Sequence, residues 1–156
     1  MLIIDIPGYK EIRLEHLVLD YNGTLACDGD LISGVVERLM GLSDRLNIHV
    51  ITADTFGTVA SRLEDLPCSV TVLAKTDQDQ GKLDFVRTLG AERTACIGNG
   101  RNDRLMLEAA ALGIAVVEGE GCATVSLTAA DIVCHGILSA LDLLANSLRL
   151  TATLRS

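Results

Sequence analysis

Apolar residues in this chain fall into short runs separated by longer stretches where they recur every three or four positions, an alternation that predicts strands and helices in turn. Leu2 to Ile6, the Pro7-Gly8 turn and Glu11 to Leu14 read as a β-hairpin ahead of the main pattern. Leu17 to Asp20 reads as a buried strand. Ser33 to Leu46 reads as a helix whose Val35, Val36, Leu39, Leu42 and Leu46 form one stripe, and Ile48 to Thr52 as the next strand. A helix from Thr58 to Leu66 is stopped by Pro67. Val70 to Ala74 is a third core strand, and a polar loop then leads to a helix from Lys82 to Leu89 with Gly90 placed as its C-cap. Thr94 to Ile97 is a strand, Asn102 to Leu112 a helix, Ile114 to Val117 a strand, Ile132-Val133 a short edge strand and Ile137 to Ala145 a helix. The tail from Leu148 to Leu154 alternates apolar and polar residues and reads as a strand.

Repeated strand–helix alternation predicts an α/β fold in which a parallel sheet carries helices on both faces, a three-layer Rossmann-like arrangement. At 156 residues the chain suits one domain: a hairpin extension over 1–15, a core over 16–146 and a tail over 147–156. Hydrophobic residues make up 49% but aromatics only 3%, so the core must be built from Leu, Val, Ile and Ala.

Charge narrows the partners. A formal net charge of -8 disfavours nucleic acid and anionic lipid surfaces, so any bound phosphate needs local help from a lysine, backbone amides or a metal cation. Met1 to Lys10 lacks a basic segment followed by a long apolar stretch, and no apolar run approaches bilayer length, so a cytoplasmic location without membrane contact is expected. Cys27, Cys68, Cys96, Cys122 and Cys134 are scattered, odd in number and without a CxxC pair, which suggests neither a disulfide frame nor a zinc site. Cys96 reads as a small buried hydrophobe and Cys27 as a bystander near Asp20.

Asp20-Tyr21-Asn22-Gly23-Thr24 closes the apolar run of the first core strand. A strand's carboxyl end is where open α/β sheets bind ligands, and Gly23 permits a turn whose amides approach a phosphate closely. Asp20 is therefore a candidate nucleophile, metal ligand or both. Thr52 ends the second core strand in Ile51-Thr52-Ala53-Asp54, Lys82 opens the helix after the third, and the fourth runs into Gly98-Asn99-Gly100-Arg101-Asn102-Asp103. All four stations fall on one edge of a parallel sheet. Phosphoryl transfer to an aspartate requires such a set: a carboxylate to attack phosphorus, a cation to neutralise its oxygens, a hydroxyl and an ammonium to hold others, and a further carboxylate to anchor the metal.

On these residues the chain resembles the haloacid-dehalogenase-like (HAD) phosphotransferases. Asp20-x-Asn22-Gly23-Thr24 is similar to the family's first motif, Thr52 to its second, Lys82 to its third and Gly98-x-Gly100-x-Asn102-Asp103 to its fourth. Within the superfamily the likeness is to the phosphorylation domain of P-type ATPases, with Thr52-Ala53-Asp54 and Thr58-Val59-Ala60 similar to their TGD and TA element. It extends from about Leu17 to Val117. The resemblance implies Mg²⁺-dependent hydrolysis of a phosphate ester, such as a phosphorylated small molecule, through an aspartyl-phosphate on Asp20. It implies catalytic roles for Asp20, Asn22, Thr52 and Lys82, and phosphate contacts from Gly23, Thr24 and Ala53. Metal would be held by Asp20, the Asn22 backbone carbonyl, Asn99 and Asp103, with Asp54 and Asn102 in support.

Two positions depart from that pattern, and both replace carboxylates. HAD phosphatases have a second aspartate where this chain has Asn22, and an amide cannot supply general acid–base help worth about a hundredfold or more. Asn99 stands where a metal-binding aspartate is expected, so weaker Mg²⁺ affinity is anticipated. Fewer than thirty residues separate the first and second motifs, which leaves no room for a cap or nucleotide-binding insertion. The crevice is expected to be open, with oligomerisation common among such capless members.

Each station also has a plain structural alternative: Thr52 satisfying a turn, Lys82 as a solvated charge, Asp103 as a helix cap. Lys75 competes with Lys82, Asp28 and Asp30 read as loop charges, and His16, His49 and His135 read as structural. Two other functions remain open: a non-catalytic phosphate- or metal-binding regulatory module, and a receiver-like signalling domain, which fits poorly because receivers phosphorylate an aspartate on their third strand.

Overall fold

The computed structural model describes residues 1–53 and 57–156. In chain order the strands are β1 (Leu2–Ile6), β2 (Lys10–Leu14), β3 (His16–Asp20), β4 (Ala26–Cys27), β5 (Asp30–Leu31), β6 (Asn47–Thr52), β7 (Cys68–Val72), β8 (Thr94–Gly98), β9 (Leu112–Val116) and β10 (Ile132–Cys134). The helices are α1 (Val35–Ser43), α2 (Thr58–Arg62), α3 (Gln78–Leu89), α4 (Arg104–Ala109), α5 (Thr124–Ala129), α6 (Ile137–Ala145) and α7 (Ser147–Leu154). Short 3₁₀ turns occupy Ala91–Arg93 and Arg101–Asp103.

Six strands form one parallel sheet in the order β10-β9-β8-β3-β6-β7. The chain builds outward from β3 through β6 to β7, then returns to the other side of β3 and builds outward through β8 and β9 to β10. The order therefore reverses between β3 and β8, and in an open α/β sheet the crevice at that switch point is the usual ligand site.

Burial follows the pleat. Leu17, Leu19, Ile48, Val50, Ala95, Ile97, Ile114 and Val116 face the larger core with α1, α2, α6, α7 and the β1–β2 hairpin. Val18, Ile51, Cys96 and Ala115 face the second with residues of α3 and α4. A strand buried on both faces must read as a continuous apolar run, which is why β3 stands out. Gly113 lets α4 lie against β9, since a Cβ there would sit 2.3 Å from the Leu107 carbonyl oxygen.

The tail is a correction. Residues 147–154 form α7, not a strand, and α7 turns 102° from α6 to pack on β1. Leu150 is buried and Leu154 packs on the same core while Leu148 is 79% exposed, a helical spacing in which the β-branched Thr151 and Thr153 mimic strand alternation. Helix α3 starts at Gln78, so Lys82 lies in its second turn instead of opening it. The small β4–β5 ribbon and α5 have no counterpart in the hydrophobic pattern, being too short for a period to register. Between β3 and β6 the chain makes only that ribbon and α1, so no cap covers the switch point. Among the described residues no single helix is long and apolar enough to cross a membrane.

Candidate active site

Parallel pairing fixes the site. Asp20 ends β3 opposite Ile51 of β6, one residue before Thr52, and Leu19 lies opposite Ile97 of β8, one residue before Gly98. The loops leaving all three strands therefore open onto one crevice. A cavity of about 250 Å³ there is lined by Asp20, Asn22, Thr52, Ala53, Gln78, Lys82, Asn99, Gly100 and Asn102.

At its floor lies a buried charge triad. Lys82 Nζ donates to Asp20 Oδ1 at 2.7 Å and to Asp103 Oδ1 at 2.6 Å, and the three residues are 2%, 8% and 0% exposed. The second oxygen of Asp103 accepts the backbone N–H groups of Asn99 at 2.9 Å and Gly100 at 2.8 Å. Asp103 thus folds back under the turn between β8 and α4. Gly98 makes room for it, because a Cβ at that position would be 2.4 Å from Asp103 Cγ.

The triad carries two carboxylates for one ammonium. Burial alone would lower the pKa of Lys82, but Asp20 and Asp103 outweigh it and raise it, so the amine stays protonated. Burial first, and repulsion from Asp103 second, push Asp20 up to about 7 against the pull of Lys82. The floor of the cavity is short of positive charge.

Thr24 is wholly buried, and its hydroxyl lies 3.3 Å from Asp20 Oδ2 and 3.2 Å from Asn99 Oδ1. It stands between the two oxygens and does not line the cavity, whereas Ala53 does. Gly23 adopts φ 78 and sits directly against the Asn99 side chain, so this turn accepts only glycine without strain. Asn99 Nδ2 donates to the Gly121 carbonyl at 2.9 Å, tying the loop after β9 to the site. Asp54 lies outside the described residues.

Two contributors were not legible in the sequence. Gln78, one polar residue in the run Asp77-Gln78-Asp79-Gln80, lines the cavity and accepts a 2.6 Å hydrogen bond from Asn102 Nδ2. The other is the loop carrying Gly121, which no motif marks. Lys75, the rival lysine, lines a larger adjoining pocket of about 600 Å³ that shares Gln78 and Asn102 with the cavity.

The remaining candidates lie elsewhere or are inert. Burial raises the pKa of all five thiols, Cys96 most, so none is an activated nucleophile. His16 and His49 pair at 3.1 Å, a contact across neighbouring strands that their sequence separation hides. His16 begins β3, the end opposite Asp20.

Among the residues lining the cavity, Asp20 has a carboxylate, Asn99 a side-chain carbonyl and Asn22 a backbone carbonyl to offer a cation. Hard oxygen donors next to an uncompensated buried carboxylate fit a hard divalent cation such as Mg²⁺.

No protein-family model matches the chain. It is 47% identical over 64 residues to the uncharacterized protein MJ0073 of Methanocaldococcus jannaschii, covering 41% of this chain and 69% of that one. It is also 49% identical over 39 residues to MJ0072 of the same organism, covering 25% of this chain and 89% of that one. Among solved structures, the cobalt-bound deoxy-D-mannose-octulosonate 8-phosphate phosphatase of Haemophilus influenzae superposes with a TM-score of 0.70 at 20% identity over 90% of each chain. The Moraxella catarrhalis 3-deoxy-D-manno-octulosonate 8-phosphate phosphatase, in complex with magnesium, phosphate and the sugar KDO, gives 0.65 at 20% identity over 91% of this chain and 94% of that one. A zinc-transporting PIB-type ATPase gives 0.64 at 25% identity over 80% of this chain, which spans only 20% of that protein. The fold is thus that of the HAD phosphatases. The chain itself belongs to the same family as MJ0073.

Proposed function

We propose that the protein is a Mg²⁺-dependent phosphohydrolase that works through an aspartyl-phosphate on Asp20. The observation that carries this reading is the buried triad at the switch point, where Asp20 shares Lys82 with Asp103 beside an oxygen-lined cavity. The HAD fold, seen in phosphatases and in a P-type ATPase, supports it.

In this account one Asp20 oxygen attacks phosphorus in line, the bond from phosphorus to the leaving oxygen breaks, and the leaving oxygen takes a proton from solvent. Lys82 orients Asp20 and faces the developing charge, while Thr52 and the backbone around Gly100 and Ala53 hold the phosphoryl oxygens. Water then attacks phosphorus, Asp20 departs as carboxylate, and inorganic phosphate leaves. Bound Mg²⁺ would offset charge on the phosphoryl oxygens, held by Asp20, the Asn22 backbone carbonyl and Asn99. In this reading Asp103 serves as the anchor of Lys82 and of the Asn99–Gly100 turn instead of the metal ligand expected from the motif, since it is wholly buried beneath that turn and does not line the cavity. The pocket bearing Lys75 and Arg101 is where the leaving group extends, so the substrate is a phosphate ester with a polar small-molecule alcohol.

Asn22 cannot exchange a proton, so hydrolysis is slow. Turnover of p-nitrophenyl phosphate with Mg²⁺ should vanish in Asp20→Asn and rise by about a hundredfold in Asn22→Asp. The neutral side chains of Asn22 and Asn99 also favour a second reading, a phosphate-binding regulatory module. Thermal stabilisation by phosphate and Mg²⁺ with no turnover in either wild type or Asn22→Asp would support that reading and overturn the first.

A further inference from the structure

If the cavity holds Mg²⁺ as proposed, Asp20 is the only carboxylate lining it among the described residues, Asp103 being buried against Lys82 and two backbone amides. Mg²⁺ prefers several anionic oxygens and keeps part of its hydration shell, so a carboxylate one water away stabilises it too. We propose that Glu120 supplies this second carboxylate, acting on the Mg²⁺ through a water of its hydration shell.

Glu120 lies at the tip of the turn between β9 and α5, more than twenty residues beyond Asn99 and outside every motif. The turn is closed by the Gly121 N–H donating to the Glu118 carbonyl at 2.8 Å. It is fastened to the site twice: Gly121 accepts from Asn99 Nδ2 at 2.9 Å, and the Ala123 N–H donates to the Asn99 carbonyl at 2.8 Å. The carboxylate itself is aimed. Its Oε1 accepts the Asp28 N–H at 3.0 Å, from the turn of the β4–β5 ribbon. Its Oε2 is directed at Gly23: a Cβ built there would be 2.4 Å from Asn99 Nδ2, 2.7 Å from Glu120 Oε2 and 2.8 Å from Asn99 Oδ1. The absent side chain at Gly23 thus lets the Glu120 carboxylate and the Asn99 amide close together against the turn that follows Asp20. Direct Mg–oxygen bonds are about 2.1 Å, and a bridging water extends that reach by about another 2.7 Å, so a carboxylate beside the Asn99 amide acts on the ion without touching it. Gly23 therefore has two roles: the left-handed turn, and the close approach of Glu120 and Asn99.

A rival use exists for Glu120. Its carboxylate, Asp28 and the Cys27 thiol lie within 4.8 Å of one another, a set that would suit a softer metal such as Zn²⁺. The two uses separate by experiment.

Mg²⁺ and Mn²⁺ binding to the full chain is measured by isothermal titration calorimetry, without substrate, for wild type, Asp20→Asn, Glu120→Gln, Cys27→Ser and Glu108→Gln. Glu108 is an exposed α4 residue paired with Arg104 and controls for the lost charge. The proposal expects Glu120→Gln to weaken Mg²⁺ by about tenfold, with Glu108→Gln and Cys27→Ser unchanged and the melting temperature of Glu120→Gln preserved. A Mg²⁺ affinity of Glu120→Gln within twofold of wild type overturns it. So does an equal loss in Cys27→Ser, which assigns Glu120 to a separate thiol-containing site. If Asp20→Asn loses Mg²⁺ while Glu120→Gln keeps it, the catalytic reading stands and this inference falls. A wild type that binds no Mg²⁺ overturns both.

Discussion

Replacing Lys82 with Met removes the ammonium and keeps most of the aliphatic stem, so it isolates the charge. In the fold this ammonium is 2% exposed and lies 2.7 Å and 2.6 Å from two carboxylates that are themselves almost wholly buried. Taking one partner from a buried ion pair costs about 3–5 kcal/mol, because the charge left behind has neither water nor counter-ion. For a chain of this size each kcal/mol moves the melting temperature by about 2–4 °C, so Lys82→Met should melt about 6–20 °C lower at pH 8. The loss should also depend on pH in a definite sense. Asp20 in the fold is already raised to about 7, well above its unfolded value, so its protonation stabilises the fold as pH falls from 7 toward 4. Without Lys82 the Asp20 pKa rises further, so the variant gains more on acidification than wild type and the difference narrows below pH 7. Urea unfolding at pH 8, 7, 6 and 5 measures this directly. Asp103→Asn in the same background restores part of the loss, because the amide oxygen still accepts the Asn99 and Gly100 amides while one charge disappears. A stability loss below about 1 kcal/mol at pH 8, or a loss that stays constant down to pH 5, would refute the idea that two buried carboxylates depend on this amine.

Three further outcomes follow from the same geometry. Since Asp20 must ionise to meet a cation, Mg²⁺ affinity should fall by up to about tenfold per pH unit below 7 and level off above it, read by calorimetry between pH 5.5 and 8.5; a flat profile would remove Asp20 from the metal site. Gly98→Ala forces Asp103 away from the β8–α4 turn and should destabilise by about 1–3 kcal/mol in urea unfolding, with Mg²⁺ affinity reduced as well. Gly113→Ala drives a methyl into the Leu107 carbonyl and should cost a similar amount while leaving Mg²⁺ affinity unchanged, which separates damage to the fold from damage to the site.

How far the chain could be read depended on the range of each interaction. The strand β3 was legible because burial on both faces leaves a continuous apolar run, and the stations at Asp20, Thr52 and Gly98 were legible because each closes an apolar strand, whereas Lys82 was legible only by its place in the helix after the next strand. A parallel sheet then brings strand ends together without further instruction. Helix α7 was misread because its direction is set by packing on β1, while its local pattern of Leu and Thr suits a strand. The geometry of Asp103 lay out of reach for another reason: a carboxylate after a strand can face a cavity or fold beneath its own turn. Which it does depends on the space left by Gly98 and the arrival of Lys82 from α3. The Glu120 turn carries no motif, and its place beside Asn99 rests on hydrogen bonds from Gly121 and Ala123 that only the folded chain makes.

The central claim is that Asp20 is the group that takes the phosphoryl. A crystal of the protein soaked with beryllium fluoride and Mg²⁺ tests it most directly, because trifluoroberyllate mimics a phosphoryl group on an attacking carboxylate. The account predicts trifluoroberyllate bonded to an Asp20 oxygen, with Thr52 and Lys82 against its fluorines and Mg²⁺ between it and Asn99. A fluoride adduct on another residue, or an Asp20 carboxylate left unmodified beside a bound Mg²⁺, would contradict it.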